Sequence, residues 1–299
     1  MAKTNDQLIN PTNQILLLFI VAQFLALIVG KIMIDNQNEA TFQALSMVPE
    51  EPGSPGNVIY LIMSVLIAAA LLVIIMMLPI RDVLIRFLEF LASVISMIIV
   101  FFVIFYALNI ENADALSIMF GLIFYIARMT YSPFRNVVAV IASAGVGALI
   151  GFSIDPLPTV LFVILIAVYD MIAVWWTGHM VQFAKHFISM QTTFTIGAEG
   201  VKEIVTRKKG KLTKTFEPVR LELGTGDLAI PAALIVSVYK LGNFVFPLMT
   251  FIGAVIGLYF ILKRAQEEKR VFPAMPSIAV SSIIMLMFTF LALAVLNML

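Results

Sequence analysis

The sequence predicts an all-α, polytopic membrane protein with nine transmembrane helices. Three observations carry that prediction. Hydrophobic residues make up 61% of the 299-residue chain and charged residues 12%, against about 45–50% and about 25% in soluble globular proteins. The mean hydropathy is +1.03. The apolar residues also gather into nine runs, each close to the roughly 20 residues that cross about 30 Å of hydrocarbon. So little charge could not cover the surface of a soluble domain. The net charge of +1 leaves no electrostatic footprint for nucleic acid. The absence of cysteine excludes disulfides, thiolate metal sites and a cysteine nucleophile.

In order, the runs are 14–34, 58–78, 84–108, 115–129, 134–152, 157–176, 221–238, 244–262 and 275–298. The first is too long for the apolar region of a cleavable signal peptide and no small-residue cleavage site follows it, so it is read as a retained span. The loop 35–57 carries Pro49, Pro52, Gly53, Pro55 and Gly56 and is expected to be irregular. The run 115–129 is the shortest. The chain is read as one membrane domain, 1–299. Its first five spans (14–156) form a scaffold, and its last four (157–299) carry the chemistry and a long loop, 177–220.

Within that loop, Met180, Phe183, Ala184, Phe187 and Ile188 recur at helical spacing, which predicts an interfacial helix over 179–190. His179 and His186 fall on it. Trp175 and Trp176, just before it, suit the membrane interface. The stretch 199–214 is basic and is expected to be mobile. Residues 219–223 alternate apolar and charged, a short strand signal, although a plain linker fits them as well.

Lys and Arg sort by loop. Seventeen of the 19 fall on one set of loops, and only Lys31 and Lys240 on the other. The poor set carries Asp35, Glu39, Glu50, Glu51, Glu111, Asp114 and Asp155 instead. The excess of bases marks the cytoplasmic face, so with nine spans the N-terminus is expected inside and the C-terminus outside, as in a protein of the cell membrane.

Once the acids are placed, two stand out. Most lie in loops or near the basic face. Glu89 enters the third span by a turn, where Arg86 offers a helical partner. Asp170 and Asp227 lie inside apolar runs, where an acid costs about 2.5–3.5 kcal/mol and must face the bundle or a water-filled cavity. Asp170 is six residues from the inner end of its span and Asp227 six residues from the inner end of the next. Each is therefore expected about 9 Å from the same boundary. Two carboxyls that meet there cannot both ionise easily. They would share a proton, one activating water and the other polarising a carbonyl. A cation or proton pathway and a polar clamp between helices fit the same two residues.

The surrounding residues carry a resemblance. Tyr169-Asp170 in one span, Gly224-Thr225-Gly226-Asp227 in the next, and Pro273-Ala274-Met275-Pro276 at the head of the last resemble the YD, GxGD and Pro-Ala-Leu motifs of the presenilin and signal peptide peptidase family, above all its archaeal presenilin homologues. Met275 replaces the leucine of the third motif. The resemblance covers the chain from residue 157 onward, and the span count agrees with it.

It implies a presenilin-like fold and an intramembrane aspartyl endopeptidase with Asp170 and Asp227 as the catalytic pair. Tyr169, Gly224, Thr225, Gly226, Pro273, Ala274 and Met275 would shape the substrate cleft. No metal or other cofactor is implied, and two histidines without cysteine could not build a metal site. The partners implied are transmembrane protein substrates and the bilayer. The short loops offer little docking surface for further subunits, and oligomeric state is left open. The inward N-terminus matches the presenilin branch, which cuts single-span type I proteins. Helix dipoles suggest that Asp227, near a helix start, is the more anionic of the pair and Asp170, near a helix end, holds the proton.

Overall fold

The computed structural model of the chain describes residues 10–296 apart from 132, 177–178, 209–210 and 269–271. The predicted spans map onto α1 (Pro11–Asp35), α3 (Gly56–Met76), α4 (Arg81–Ala107), α5 (Ala113–Thr130), α6 (Phe134–Ser153), α7 (Pro156–Met171), α9 (Gly226–Tyr239), α10 (Val245–Glu268) and α11 (Met275–Val295). A short helix, α2 (Ala40–Gln43), interrupts the irregular loop after α1. It presses the buried Phe42 against the rings of Phe102 and Tyr106. α8 (His179–Met190) is a helix with the bounds that the amphipathic spacing predicts. The bases Lys3, Lys209, Lys269 and Arg270 and the end of the last predicted span lie outside the described residues.

Two expectations are corrected. Within the basic stretch 199–214, residues 199–208 and 211–214 lie on the antiparallel strands β1 (Thr195–Lys208) and β2 (Lys211–Gly224), where no regular structure was expected. The alternation at 219–223 is therefore a strand and not a linker. The seventh span is also shorter than its apolar run. Among the described residues eight helices are long and apolar enough to cross a membrane, while α9 has 14 residues. It rises only about 21 Å. Residues 221–224 belong to β2, and as extended chain they add about 13 Å. The run 221–238 is thus part strand and part helix, which apolar content alone cannot distinguish.

Burial explains why so short a helix persists. In α9, Leu228, Ala229 and every residue from Pro231 to Val238 are buried, so the helix is apolar all round and sits at the centre of the bundle. By contrast, α3 buries only Asn57, Val58, Leu61 and Ile75 and presents the rest of its surface outward. α6 meets α9 through small residues. A Cβ on Gly147 would lie 2.6 Å from the Ala232 Cβ and 2.7 Å from the Ala229 carbonyl. Gly253 and Gly257, one turn apart, bring α10 equally close to the α11 backbone at Ser281 and Ser277.

At the end of the bundle away from the hairpin, the two bases that broke the charge sorting are both paired. Lys31 lies 2.5 Å from Asp35. Lys240 donates to the carbonyls of Phe152 (2.8 Å) and Ile154 (3.1 Å) at the end of α6 and lies 3.2 Å from Asp155. Burial pulls the Lys240 pKa down, while Asp155 acts against that shift. Gly147→Ala should destabilise the protein by about 1–3 kcal/mol through overpacking at the α6–α9 contact. Thermal unfolding in detergent measures it.

Candidate active site

The site is assembled from element ends. α7 starts at Pro156, whose fixed φ suits a first helical position, and carries Tyr169 and Asp170 in its last turn. The next five residues, Ile172–Trp176, form a π-helical turn, an irregularity that often accompanies functional sites. Trp175 and Trp176 stand exposed on that turn. Pro273 and Ala274 precede α11 without joining it, and the Met275 N–H, one of the unpaired donors of a helix start, donates to Asp170 Oδ2 at 3.3 Å. Ala274 and Met275 are buried, with Ala274 in the cluster of Ile196, Leu223, Leu228 and Ile278.

Asp227 comes from the other side. β2 ends at Gly224, Thr225 caps the helix, and Asp227 sits in the first turn of α9. Gly224 adjoins the Asp227 carboxylate, with Asp227 Oδ2 3.4 Å from where a Cβ on Gly224 would stand. The strand-to-helix corner is held by Phe194, whose carbonyl accepts the Thr225 N–H at 3.0 Å and the Thr225 hydroxyl at 3.2 Å. The paired register Thr195↔Gly224 places that carbonyl beside the corner. The two carboxyls are close enough that the charge on Asp170 acts on Asp227.

Tyr169, Gly224, Thr225, Gly226, Pro273, Ala274 and Met275 all lie on the segments that carry or flank the two aspartates. The glycines act differently from one another. A Cβ on Gly224 would be in ordinary contact with Asp227 Oδ2, at 3.4 Å, whereas one on Gly226 would meet nothing within 4 Å. Gly226 therefore serves open space beside Asp227, and close helix packing is not its role.

Several features were not foreseen. Glu89 does not pair with Arg86. It reaches across to Arg128 at the end of α5. The lead-in to β1 is also tied down: Asn136 exchanges two hydrogen bonds with the Gly197 backbone (2.8 and 3.1 Å), and Arg135 lies 3.7 Å from Glu222. Beside Gly226 a cavity of about 200 Å³ opens, with the hydroxyl residues Ser93, Ser96, Ser143, Thr193 and Thr225 on its walls. The dipoles of α7 and α9 alone favour an anion on Asp227, but the N-terminus of α11 reaches Asp170, so both carboxyls stand at a helix start. A usable sequence signal existed for Glu89 alone: a buried acid needs a partner at the same end of the bundle, and Arg128 ends the neighbouring span.

Comparison with known proteins bears on this arrangement. The family model described as "Signal-peptide peptidase, presenilin aspartyl protease" matches residues 16–295. The chain belongs to that family. It is accordingly a multi-pass integral membrane protein of a family of intramembrane aspartyl proteases. Two solved structures of a presenilin family intramembrane aspartate protease, in space groups C222 and P2, share the fold. The first matches with a TM-score of 0.65 and 21% identity over 93% of this chain and 98% of that one. The second has a TM-score of 0.63 and 21% identity over 92% and 95%. No curated protein matches the chain.

Because the space at Gly226 is open, Gly226→Ala should fit. It should stabilise the protein by about 0.4–1 kcal/mol through the unfolded chain, the opposite sign to Gly147→Ala. Paired melting curves of the two variants test this contrast.

Proposed function

We propose that Asp170 and Asp227 are the catalytic dyad, and that the protein hydrolyses peptide bonds within the transmembrane segments of single-span, type I membrane proteins. One observation carries the reading: two acids from different helices come within electrostatic reach of one another, and Asp170 receives a backbone N–H from the head of a third helix, α11. Like charges this close in an apolar setting share one proton.

The ionised carboxylate takes a proton from water as the water oxygen attacks the substrate carbonyl carbon. The protonated partner donates a hydrogen bond, and then its proton, to the carbonyl oxygen, giving a gem-diol. Collapse returns one proton to the dyad and delivers another to the departing amide nitrogen. The C–N bond breaks, leaving a carboxyl and an amine. The steps balance without a metal or cofactor. The hydroxyl-lined cavity beside Gly226 has room and polar partners for water.

A peptide bond must leave its helix to be attacked. The outer edge of β1 is occupied by Asn136 at Gly197 and by Gln14 at Glu199. That leaves the edge of β2, which leads directly into Gly224 and Asp227, for a substrate strand to add to. Tyr169, Thr225, Gly226 and the segment Pro273–Met275 border the same cleft. Spans 14–156 then act as scaffold and 157–299 as the catalytic half. The charge sorting places the hairpin end in the cytoplasm, so cleavage falls near the cytoplasmic end of the substrate span.

The test is proteoliposomes carrying wild type, Asp170→Asn or Asp227→Asn with type I and type II single-span substrates. Wild type should cut the type I substrate, and each variant should lose at least about a thousandfold in rate, as removal of an acid–base partner does. Cation or proton flux lost on substitution, with no proteolysis by wild type, would show a pathway through the bundle instead. Cleavage of type II substrates alone would reverse the orientation.

A further inference from the structure

Glu89 is fully buried and Arg128 nearly so, with side-chain exposures of 0% and 7%, and the two form an ion pair between α4 and α5. What they hold is a stretch of backbone. The Thr193 N–H donates to Glu89 Oε1 at 2.6 Å, the same oxygen that Arg128 uses. Arg128 Nη2 also donates to the Gln191 carbonyl at 2.9 Å. Gln191 ends α8 in the left-handed region, at φ 53°, so the pair clamps the chain where it turns from α8 toward β1. Ser93, one turn after Glu89, shares a 2.8 Å hydrogen bond with the Thr193 hydroxyl. The next residue is Phe194, whose carbonyl accepts both hydrogen bonds from Thr225. Two residues further on is Asp227.

The pair is poorly arranged as a device for stability. Buried ion pairs contribute little net stability unless their remaining polar atoms are also satisfied. Among the described residues Glu89 Oε2 and Arg128 Nε find no hydrogen-bond partner. Apolar side chains could fill this place, but they would leave the Thr193 N–H and the Gln191 carbonyl without the partners that the pair supplies.

We propose that Glu89 and Arg128 are positioning residues for the dyad: they fix Gln191–Thr193, and through Phe194 and Thr225 the direction from which Asp227 enters the site. This inference rests on the dyad reading above. An error of about 1 Å at a reacting group can cost on the order of a hundredfold in rate, so a loosened corner should be felt in turnover.

The experiment measures kcat, KM and Tm for full-length Glu89→Ala, Glu89→Gln and the double variant Glu89→Leu/Arg128→Leu in liposomes with a type I substrate, beside Asp227→Ala. Glu89→Ala should lose about tenfold or more in kcat with KM within about twofold. Glu89→Gln keeps an oxygen for the Thr193 N–H and should stay within about threefold of wild type. The double variant, which leaves no buried charge unpaired, should melt no lower than Glu89→Ala and turn over as slowly. A double variant with wild-type kcat, or a Glu89→Gln as slow as Glu89→Ala at equal Tm, would overturn the inference alone, provided Asp227→Ala is inactive. An active Asp227→Ala would remove the dyad reading and this inference with it.

Discussion

The carbonyl of Phe194 joins the two kinds of backbone in this protein. It accepts the N–H and the hydroxyl of Thr225, so β2 stops and α9 starts at one residue, two before Asp227. An extended strand inside an apolar bundle leaves N–H and C=O groups that lipid cannot satisfy. The inner edges and part of the β1 edge are satisfied by protein: β1 and β2 pair with each other, Asn136 binds Gly197, and Gln14 reaches Glu199. The irregular backbone that the site needs is therefore possible only because helices α1 and α6 close around it. The first five spans and the last four are for this reason not independent of one another.

The same constraint accounts for the form of α9. The strand takes up part of the apolar run, so the helix is short, and a short helix at the centre of a bundle is stable only through packing. Small residues on α6 and an almost wholly buried surface supply that packing. Pro231 lies inside α9 and removes one helical N–H. Near it, the amide of Gln23 on α1 donates to the Leu228 carbonyl at 2.9 Å, in a buried position one residue from Asp227.

The helices were legible in the sequence because crossing hydrocarbon demands long apolar runs, and the amphipathic spacing of 179–190 was legible because an interfacial helix has two different faces. Asp170 and Asp227 were legible because an acid in an apolar run has no other reason to be there. The hairpin was mostly hidden. Residues 199–214 read as a basic loop, since pairing over fourteen residue pairs is a long-range property that composition does not express. Glu89 was assigned to Arg86 because helical spacing finds only partners on the same helix, and Arg128 lies on the next one. The π-helical turn after Asp170 and the cavity beside Gly226 arise from packing between elements and leave no mark on either segment alone.

The matching position of the two aspartates has a physical basis other than equal counting along two helices. Asp227 is in the first turn of α9 and Asp170 in the last turn of α7, and what brings them together is the supply of unpaired backbone donors at helix starts. The Met275 N–H at the head of α11 serves Asp170, and Asp227 stands in the first turn of α9 itself. A carboxyl in the middle of a span would find every backbone donor already used within its own helix. An acid pair inside a membrane protein therefore belongs where helices begin, and residues suited to such ends, the permissive Gly224 and Gly226 on one side and the φ-restricted Pro273 and Pro276 on the other, mark those beginnings. The motifs around the aspartates are in this view the local means of providing donors and space to two groups that the apolar surroundings would otherwise reject.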